Sequence, residues 1–440
     1  MTATIATVTD ILKEFYLGPI QEELNNETYV SDLFQKASVD WNGRLVHIPV
    51  HVARNTGVSF AAEGGALPAA GDQGYDALIA TAKFLYGRFE MTGPAMAALG
   101  KGGTNSFVGY VDAEMTRLKD DVKNASNQAA VSGGNVIGYM SQQNAVSVGA
   151  DDWMFDGDFA KATTLAAIAT IEFDLVRMSD YLTSPNPLAA GQGIDTVDAA
   201  NGTVHLTAAL DTTAGAGGWN VALVDGDVYA VVVTGPAAVL AATADEPTGI
   251  YGNLSDPTHF GADRTTATGE ASLQSNFINT VADGAGNPPA VPGADRVALD
   301  LDAHFQGCLD EITLASGDEP DIILASPRQR SRYAAIVAGT IQADFAGRSK
   351  AAGADGGFTG FGYAGIPIKT SRHVGNGHLA FLKTASWKMC ELEPMGFADL
   401  DGSVLSRNSG FDSWQGFVRW YYECVCTRPN TNAVVTGLAL

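Results

Sequence analysis

Residues Thr104 to Val131 read TNSFVGYVDAEMTRLKDDVKNASNQAAV and predict a single long helix. Apolar side chains recur there at steps of three or four, so they share one helical face. Thr104 is the predicted N-cap, and the Ser-Gly-Gly at 132–134 ends the helix. At 1.5 Å per residue the helix is about 40 Å long, more than twice the globular average. Its stripe comprises Phe107, Val111, Met115, Leu118, Val122, Ala125 and Ala129.

The length and charge of the chain restrict the classes of protein to which it can belong. Its 440 residues exceed a typical single core and favour two or three folding units. With 26 basic and 49 acidic residues, the net charge is -23. Because proteins that hold nucleic acid by neutralising phosphates are usually basic, nucleic-acid binding as the main function is disfavoured.

The sequence carries no pattern typical of secretion or membrane insertion. The first stretch, MTATIATVTDILKEF, lacks the basic and apolar regions of a signal peptide. No apolar run reaches the roughly 18 residues that a spanning helix needs. The four cysteines are too few for a disulfide scaffold at this length and are predicted to be buried free thiols in a reducing cytoplasm.

Residues 45–91 predict a long two-stranded hairpin. The outgoing strand has one face with Val46, Ile48, Val50 and Val52 and another with Leu45, His47, Pro49 and His51, and Pro49 places the strand at a sheet edge. The returning strand spans about 77–91. The stretch between them, GVSFAAEGGALPAAGDQGYD (57–76), is long for a loop in a compact domain and indicates a functional or partner-bound segment. The alternative is a flexible lid over an active site.

The rest of the chain alternates between helical and strand-like patterns. From Asp180 to Asp300 the only basic residues are Arg264 and Arg296, which is typical of a solvent-facing surface. Ser326 is a predicted N-cap after the strand DIILAS, and Pro327 opens the helix that follows. The remaining predictions are a polar connection at 133–152, helices at 159–182 and 300–316, and strands within 203–233, 365–372, 378–385 and 417–428.

No catalytic constellation is recognisable. The chain lacks the nucleophile elbow, the phosphate-binding P-loop, the HExxH zinc motif and a dinucleotide fingerprint. His47 and His51 share a strand face, where exposed histidines are commoner than a metal site. Arginines 328, 330 and 332 could clamp a phosphate, but pairing with acidic neighbours is the commoner arrangement. The sequence therefore predicts neither an enzyme nor a cofactor or metal site.

The order of these parts resembles the major capsid proteins of tailed phages, the Hong Kong 97-type fold. The segments that carry the resemblance are GRLVHIPVHVARNTGVSFAAEGG leading into FLYGRFEMTG, the helix from Thr104, PDIILASPRQRSRYAAI, GFGYAGIPIKTSRHV and the closing FVRWYYECVCTRPNTNAVVTGL. Each is weak alone, and the specificity lies in their order and spacing. The resemblance implies an α+β fold and covers most of the chain.

The resemblance also implies a domain plan. It comprises an N-terminal arm (1–44), an extended-loop hairpin (45–92), a peripheral domain with a spine helix (93–150), an axial domain (151–376) with a β-rich insertion (188–233), and C-terminal strands (377–440). Assembly contacts are implied at the loop tip, through Gly57, Phe60, Glu63, Gly64, Gly65, Leu67 and Asp72. They are also implied along the spine helix, through Phe107, Val111, Met115, Leu118 and Val122.

The implied function is structural: hexamers and pentamers that form an icosahedral virion capsid around double-stranded DNA, without sequence-specific binding. Such a capsid assembles in the host cytoplasm with a scaffolding protein, a portal and in some cases a decoration protein. Only 44 residues precede the hairpin, which favours a separate scaffolding protein. The tip contains no lysine, which predicts a shell without covalent crosslinks between subunits. The alternatives are an encapsulin-like compartment shell and an enzyme with a hairpin lid.

Overall fold

The computed structural model describes part of the chain in detail. The described residues are 29–37, 39–63, 65–95, 97, 104–134, 136–142, 152–158, 162–163, 172–177, 189–192, 194–198, 203–206, 228–234, 245–255, 258–264, 273–279, 299–340, 361–399, 405–436 and 438. The predicted arm residues 1–28 therefore lie outside the described part.

The described chain is a mixture of helices and strands. The helices are α1 (Tyr29–Leu33), α2 (Thr104–Ser132), α3 (Ile250–Ser255), α4 (Gly307–Ser316, preceded by a π-helical turn at Leu301–Gln306) and α5 (Pro327–Thr340). The strands of the first half are β1 (Gln35–Ala37), β2 (Leu45–Ala53), β3 (Gly74–Thr81), β4 (Lys83–Thr92), β5 (Val136–Gln142), β6 (Asp152–Gly157), β7 (Glu172–Arg177), β8 (Ala189–Gln192), β9 (Ile194–Asp198), β10 (Thr203–Leu206) and β11 (Val228–Thr234). Those of the second half are β12 (Thr258–His259), β13 (Ala262–Asp263), β14 (Asn276–Asn279), β15 (Ile322–Ala325), β16 (Phe361–Tyr363), β17 (Ile366–Thr370), β18 (Leu379–Leu382), β19 (Trp387–Phe397), β20 (Ser406–Arg407), β21 (Ser413–Cys426) and β22 (Ala433–Thr436).

The long helix predicted from the sequence is confirmed. Helix α2 has 29 residues and ends where the amide of Gly133 donates to the carbonyl of Ala129. Gly134 then adopts a left-handed φ of 75°, which favours glycine. The predicted stripe is wrong at Ala125, which is exposed. The buried face continues instead through Val122, Ser126 and Ala130, since steps of four residues stay closest to one side of the helix.

Helix α2 lies on a five-stranded sheet with the path β1-β19-β21-β20, and β4 pairs along β21. The helix-facing residues of β21 are Val418, Trp420, Tyr422 and Cys424, which belong to the same buried cluster as Val122. This alternation matches the period of two that the closing segment of the sequence predicts.

The predicted hairpin is confirmed only in its first half. Strand β2 pairs with β3 in register from Leu45–Thr81 to Ala53–Gly74. The returning strand then breaks at Ala82, and β4 pairs with β21 of the neighbouring sheet, from Lys83–Tyr422 to Thr92–Ser413. The prediction that one returning strand spans 77–91 is therefore wrong. Strand β4 pairs with ten consecutive residues of β21 and with none of β2.

A seven-stranded sheet has the order β8-β7-β11-β5-β6-β10-β9. It contradicts two sequence predictions. The connection predicted as polar at 133–152 contains β5, which buries Val136, Ile137, Tyr139 and Met140. The helix predicted over 159–182 is contradicted at 172–177, which forms β7 and pairs antiparallel with the β-branched strand VYAVVVT of β11, although residues 162–163 are helical. The sheet extends from residue 136 to 234, beyond the predicted insertion at 188–233.

A six-stranded sheet, β14-β22-β18-β15-β17-β16, carries α4 and α5. The strand–helix unit at 322–340 is confirmed, and the hydroxyl of Ser326 accepts from the Gln329 amide at 3.2 Å as an N-cap. The predicted helix at 300–316 is confirmed too, with Asp300 capping its π-helical start. Strands β17, β18 and β21 confirm the last three strand predictions.

The acidic region 180–300 is not wholly solvent-facing. All six residues of α3 are buried. Arg264, predicted to lie on that surface, is fully buried and donates to the carbonyl oxygens of Asn253 (2.6 Å) and Gly252 (3.5 Å). The Asn253 side chain in turn bonds both Cys424 and Cys426 of β21. These buried polar contacts satisfy the backbone where α3 meets the end of β21.

Candidate assembly surfaces

The loop tip between β2 and β3 is closed by a neck of two glycines. The side chain of Asn55 donates to the carbonyl of Gly71 at 2.6 Å and accepts from the amide of Gly57 at 2.6 Å. A β-carbon on Gly57 would lie 2.7 Å from the Gly71 nitrogen, and one on Gly71 would lie 2.7 Å from the Gly57 nitrogen. Only glycine allows the two chain segments to approach this closely.

Beyond the neck, the tip exposes large apolar side chains. Val58 is 84% exposed, Leu67 is 89% exposed and Phe60 is fully exposed. Isolated exposed apolar side chains are ordinary, but three in one loop form a patch typical of a partner contact. Of the other tip residues predicted from the sequence, Glu63, Gly65 and Asp72 are exposed, Gly57 is half-buried in the neck, and Gly64 lies outside the described residues.

The base of the hairpin, in contrast, belongs to the subunit. Val46 and Ile48 of β2, with Leu78 and Ala80 of β3, pack in a buried cluster with Cys390 and Val425 of the five-stranded sheet and with Ala262 and Leu273. The hairpin is therefore fastened at its base and free at its tip. The sequence prediction that it rests outside its own domain applies at most to the tip.

The predicted spine-helix residues differ in their environments. Val122 is buried, and Leu118 and Met115 are half-buried. A β-carbon on Gly87 of β4 would lie 2.7 Å from Val122 Cγ2 and 3.0 Å from Leu118 Cδ1, so helix and strand are in close contact. The side chains of Phe107 and Val111 lie outside the described part. Leu118 and Val122 thus pack within the subunit, and a role for this face in assembly stays a prediction.

Buried polar side chains of α2 hold the described part of the predicted arm. Asn127 is fully buried, and its Oδ1 accepts from the amides of Val30 (2.8 Å) and Ser31 (3.2 Å) at the start of α1. The hydroxyl of Tyr422 donates to Ser126 at 2.7 Å on the same face. These contacts were not predicted, because a periodicity count treats Ser and Asn as solvent-facing.

An aromatic patch lies on the face of the five-stranded sheet opposite the helix. Phe84 and Tyr86 of β4 are exposed, and both pack edge-on against Tyr421, with ring centroids 4.9 and 5.6 Å away. The guanidinium of Arg419 lies 5.9 Å from the Tyr421 ring and pairs with Glu393. The sequence pattern places these aromatics in strands but does not identify them as a surface.

A buried carboxyl group lies where the hairpin, β4 and β21 meet. Glu423 is almost completely buried, and its Oε1 accepts from the Thr248 amide at 2.6 Å. It lines a cavity of about 210 Å³ together with Lys83, Thr81 and His259. Burial raises the pKa of the Glu423 carboxyl to about 7, against the opposing effects of the Thr248 hydrogen bond and the Lys83 charge. Burial and the charge of Arg264 lower the pKa of His259 to about 3, so this imidazole is neutral.

A second buried polar network joins α2 to the seven-stranded sheet. His373 Nδ1 lies 3.0 Å from Asp158 Oδ2, and the Arg372 Nε donates to His373 Nε2 at 3.2 Å. Gln128 and Ser132 of α2 donate to the same Asp158 oxygen. Since Arg372 donates to Nε2, His373 carries its proton on Nδ1 and donates to the carboxylate.

A cleft of about 580 Å³ runs beside β2. One wall is formed by residues 48–54, and the other by residues from α4, β19 and the segment after β21. The charged residues that line it are Arg54, Lys388 and Arg428, all basic, in a chain whose net charge is -23.

The described residues contain no group of three or more metal-ligating side chains. The four cysteines are buried free thiols, as predicted. Among the described helices, none is long and apolar enough to cross a membrane.

Comparison with known proteins identifies capsid structures. The chain matches the capsid asymmetric unit of cyanophage A-1(L) with a TM-score of 0.53 at 12% identity, covering 100% of both chains. The capsid of a native GTA particle matches with a TM-score of 0.48 at 10% identity over 99% of both chains. A chain of Gordonia phage Cozz matches with a TM-score of 0.43 at 10% identity over 100% of this chain and 96% of the other. No protein-family model and no curated protein matches the sequence. At 12% identity the likeness concerns the fold: this chain and the cyanophage capsid chain share one fold along their whole lengths.

Proposed function

We propose that the chain is the major capsid protein of a tailed phage, with the Hong Kong 97-type arrangement of arm, extended loop, peripheral domain and axial domain. The observation that carries the proposal is the shared fold with the cyanophage capsid chain over the full length of both chains. In this arrangement β2 and β3 form the extended loop, α2 is the spine helix, and the five-stranded sheet belongs to the peripheral domain. The β-rich insertion at 188–233 is an addition to the axial domain that faces outward, and the acidity of this segment favours that placement.

The proposed product of assembly is an icosahedral shell of hexamers and pentamers around double-stranded DNA. A subunit that closes rings through head-to-tail contacts needs a protruding element that reaches a neighbour. The loop tip fits this need, since it is fastened at the neck and base while Phe60 and Leu67 stay exposed. The proposed partners are further copies of the chain, a scaffolding protein, a portal and a decoration protein. The proposed location is the virion capsid, assembled in the host cytoplasm.

The proposed role is structural, without catalytic residues. Asp158 and His373 are buried, Arg372 covers them from the exposed side, and none of the three lines the cleft beside β2, which favours a structural function for this network. A lid over an active site would need reactive groups beneath the hairpin. There the buried cluster is apolar apart from one thiol, that of Cys390. The nearby ionisable groups of Glu423 and His259 are bonded to backbone groups of Thr248 and Cys426. Burial raises the pKa of Cys390 to about 11, which disfavours a thiolate nucleophile.

Sedimentation velocity and negative-stain microscopy test the proposal, on the chain expressed alone and together with its neighbouring genes. Closed shells, or rings of five and six that close when a scaffold is supplied, are the expected result. A monomer or dimer under every condition would contradict the proposal and favour the lid-and-enzyme alternative. The contents of the particle separate a capsid, which takes up DNA, from an encapsulin-like shell, which takes up an enzyme.

A deletion of 57–74 tests the extended loop itself. It removes the tip and its neck but spares the buried base formed by Val46, Ile48, Leu78 and Ala80. The variant is expected to fold with an unchanged circular dichroism spectrum and to fail to close shells. Normal particles from this variant would contradict the role of the loop while leaving the shell function in place. Denaturing gels of the shells are expected to show single subunits, since the tip contains no lysine.

A further inference from the structure

The cleft beside β2 follows the edge of that strand that has no partner strand among the described residues. Its lining includes every residue from Ile48 to Arg54, whose side chains alternate between the two faces of the strand. A cleft that contacts consecutive residues lies along the edge and not over one face. No residue of β3, the partner of β2 in the described two-stranded sheet, lines the cleft. The cleft therefore presents unpaired backbone groups to whatever enters it, as edge strands do.

The charges in the cleft are basic and partly unpaired. Arg428 pairs with Asp318 at 2.8 Å. His51 bonds Gln73 at 2.6 Å. The side chains of Arg54 and Lys388, however, form no ion pair or hydrogen bond with any residue in the described part of the chain. Ile48, Val50 and Leu273 add an apolar floor. A complementary occupant is thus an extended segment with acidic and apolar side chains.

The loop tip has this composition. Between residues 55 and 82 the charged residues are Glu63, Asp72 and Asp76, with no lysine or arginine. The exposed apolar side chains Val58, Phe60 and Leu67 lie among them. Among the described residues, this is the segment in which acidic charge coincides with several exposed large apolar groups. Its neck holds it away from the cleft of its own chain, because Val58, Phe60 and Leu67 are exposed there and the cleft lining includes no tip residue.

We propose that the loop tip of one copy occupies the basic cleft along β2 of a second copy. The contact is heterologous, since the tip and the cleft are different surfaces of one chain, so each copy offers both halves and the chain of contacts can close into a ring. Backbone pairing along the β2 edge supplies affinity, and the pairs between the tip carboxylates and Arg54 or Lys388 fix which segment enters. This inference rests on the proposed shell function and names the receiving surface within it.

A charge exchange tests the contact. Two double variants reverse the charges on one side of the contact at a time. The cleft variant is Arg54→Glu with Lys388→Glu, and the tip variant is Glu63→Lys with Asp72→Lys. Each is expected to reduce the yield of closed shells by at least about tenfold, because like charges then face each other. The combined four-site variant is expected to recover most of that loss. The matched control is Arg330→Glu with Arg407→Glu, which reverses two exposed basic side chains that do not line the cleft and is expected to assemble normally.

Each alternative outcome has a defined meaning. The inference is overturned if either double variant gives the wild-type yield of shells. It is also overturned if the four-site variant shows no recovery although its circular dichroism and melting temperature match the wild type. Neither result contradicts the shell function. Failure of the wild-type chain to assemble instead contradicts the proposed function. Binding of a short DNA duplex to the wild type, lost in Arg54→Glu with Lys388→Glu, would assign the cleft to nucleic acid and also overturn the inference.

A crosslinking experiment covers the case in which the charge variants do not fold. The native thiols are buried, so a cysteine introduced at an exposed site reacts alone. Chains with Glu63→Cys and chains with Lys388→Cys are mixed, assembled and oxidised. A disulfide between the two kinds of chain is the expected product. Shells that form without this link, while Glu63→Cys still reacts with a soluble maleimide, overturn the inference.

Discussion

Gly57 and Gly71 face each other across the neck of the loop tip, at a distance that leaves no space for a β-carbon on either residue. The neck thereby fixes the direction in which the tip projects, although the tip buries little of its own surface. Since the buried base under β2 and β3 is separate, the neck should affect assembly and not folding.

The variant Gly57→Ala is therefore expected to unfold at the wild-type temperature and to give at least about tenfold fewer closed shells, because the neck must open by several tenths of an ångström and redirect the tip. Shell yield by sedimentation and melting by circular dichroism measure the two effects. Ala66→Ser, in the exposed part of the same tip, is the matched control. If Gly57→Ala gives the wild-type yield of shells, the conformation of the neck does not determine whether the tip reaches its partner.

Gly87 tests the contact between the spine helix and the sheet. A valine there would place methyl groups against Val122 and Leu118. Overpacking of this kind costs about 1–3 kcal/mol of unfolding free energy, which urea titration measures. Arg88→Ala, one residue along on the opposite face, removes only the surface pair with Glu90 and is expected to change the unfolding free energy by less than about 1 kcal/mol. An unchanged urea midpoint for Gly87→Val would indicate that α2 and β4 can move apart to accommodate the valine without loss of unfolding free energy.

The sequence predicted those elements whose pattern is local. The stripe through Leu118 and Val122, the N-cap at Ser326 and the alternation around Pro49 each depend on neighbouring residues, and the structure has all three. The strand β7 was missed because Leu175 fits a helical period as well as a strand period, and only pairing with Val231 of β11 decides between them.

The candidate surfaces were predictable to a smaller extent. Phe60 and Leu67 could be identified because their loop is long and rich in glycine. Glu423 could not, since an acidic residue in an aromatic strand is ordinarily placed on the solvent face, and its burial depends on Thr248 and Lys83, far away in sequence. Likewise Arg54 and Lys388 are 334 positions apart, so no sequence window contains the basic cleft.

Asn127 is expected to hold α1 against the spine helix. Its replacement by alanine removes the acceptor for the amides of Val30 and Ser31 and should cost about 0.5–2 kcal/mol, as the loss of a helix cap does. Hydrogen exchange is expected to accelerate at residues 29–34 before it changes elsewhere. Lys123→Ala, at an exposed position of the same helix, serves as the control. Unaltered exchange at Val30 in Asn127→Ala would show that α1 is held instead by apolar packing, including the stacking of the adjacent Phe34 on Trp387.

Glu423 is expected to make stability depend on pH. Its pKa is raised from 4.5 when exposed to about 7 when buried, so the folded chain binds this proton more tightly than the unfolded chain. By linkage, the stabilisation is fully present below pH 4.5 and is lost as the pH rises through 7, with a total of roughly 3 kcal/mol for a single group.

Glu423→Gln keeps an oxygen for the Thr248 amide and carries no charge, so its unfolding free energy should lack this decline. Urea titrations between pH 5 and 8.5 compare the two proteins. The difference between them should grow in favour of the glutamine variant as the pH rises from 5 to about 7, and should level off above that, where both states have released the proton. Parallel curves at all pH values would mean that Lys83, whose charge favours the carboxylate, keeps Glu423 ionised in the folded subunit throughout.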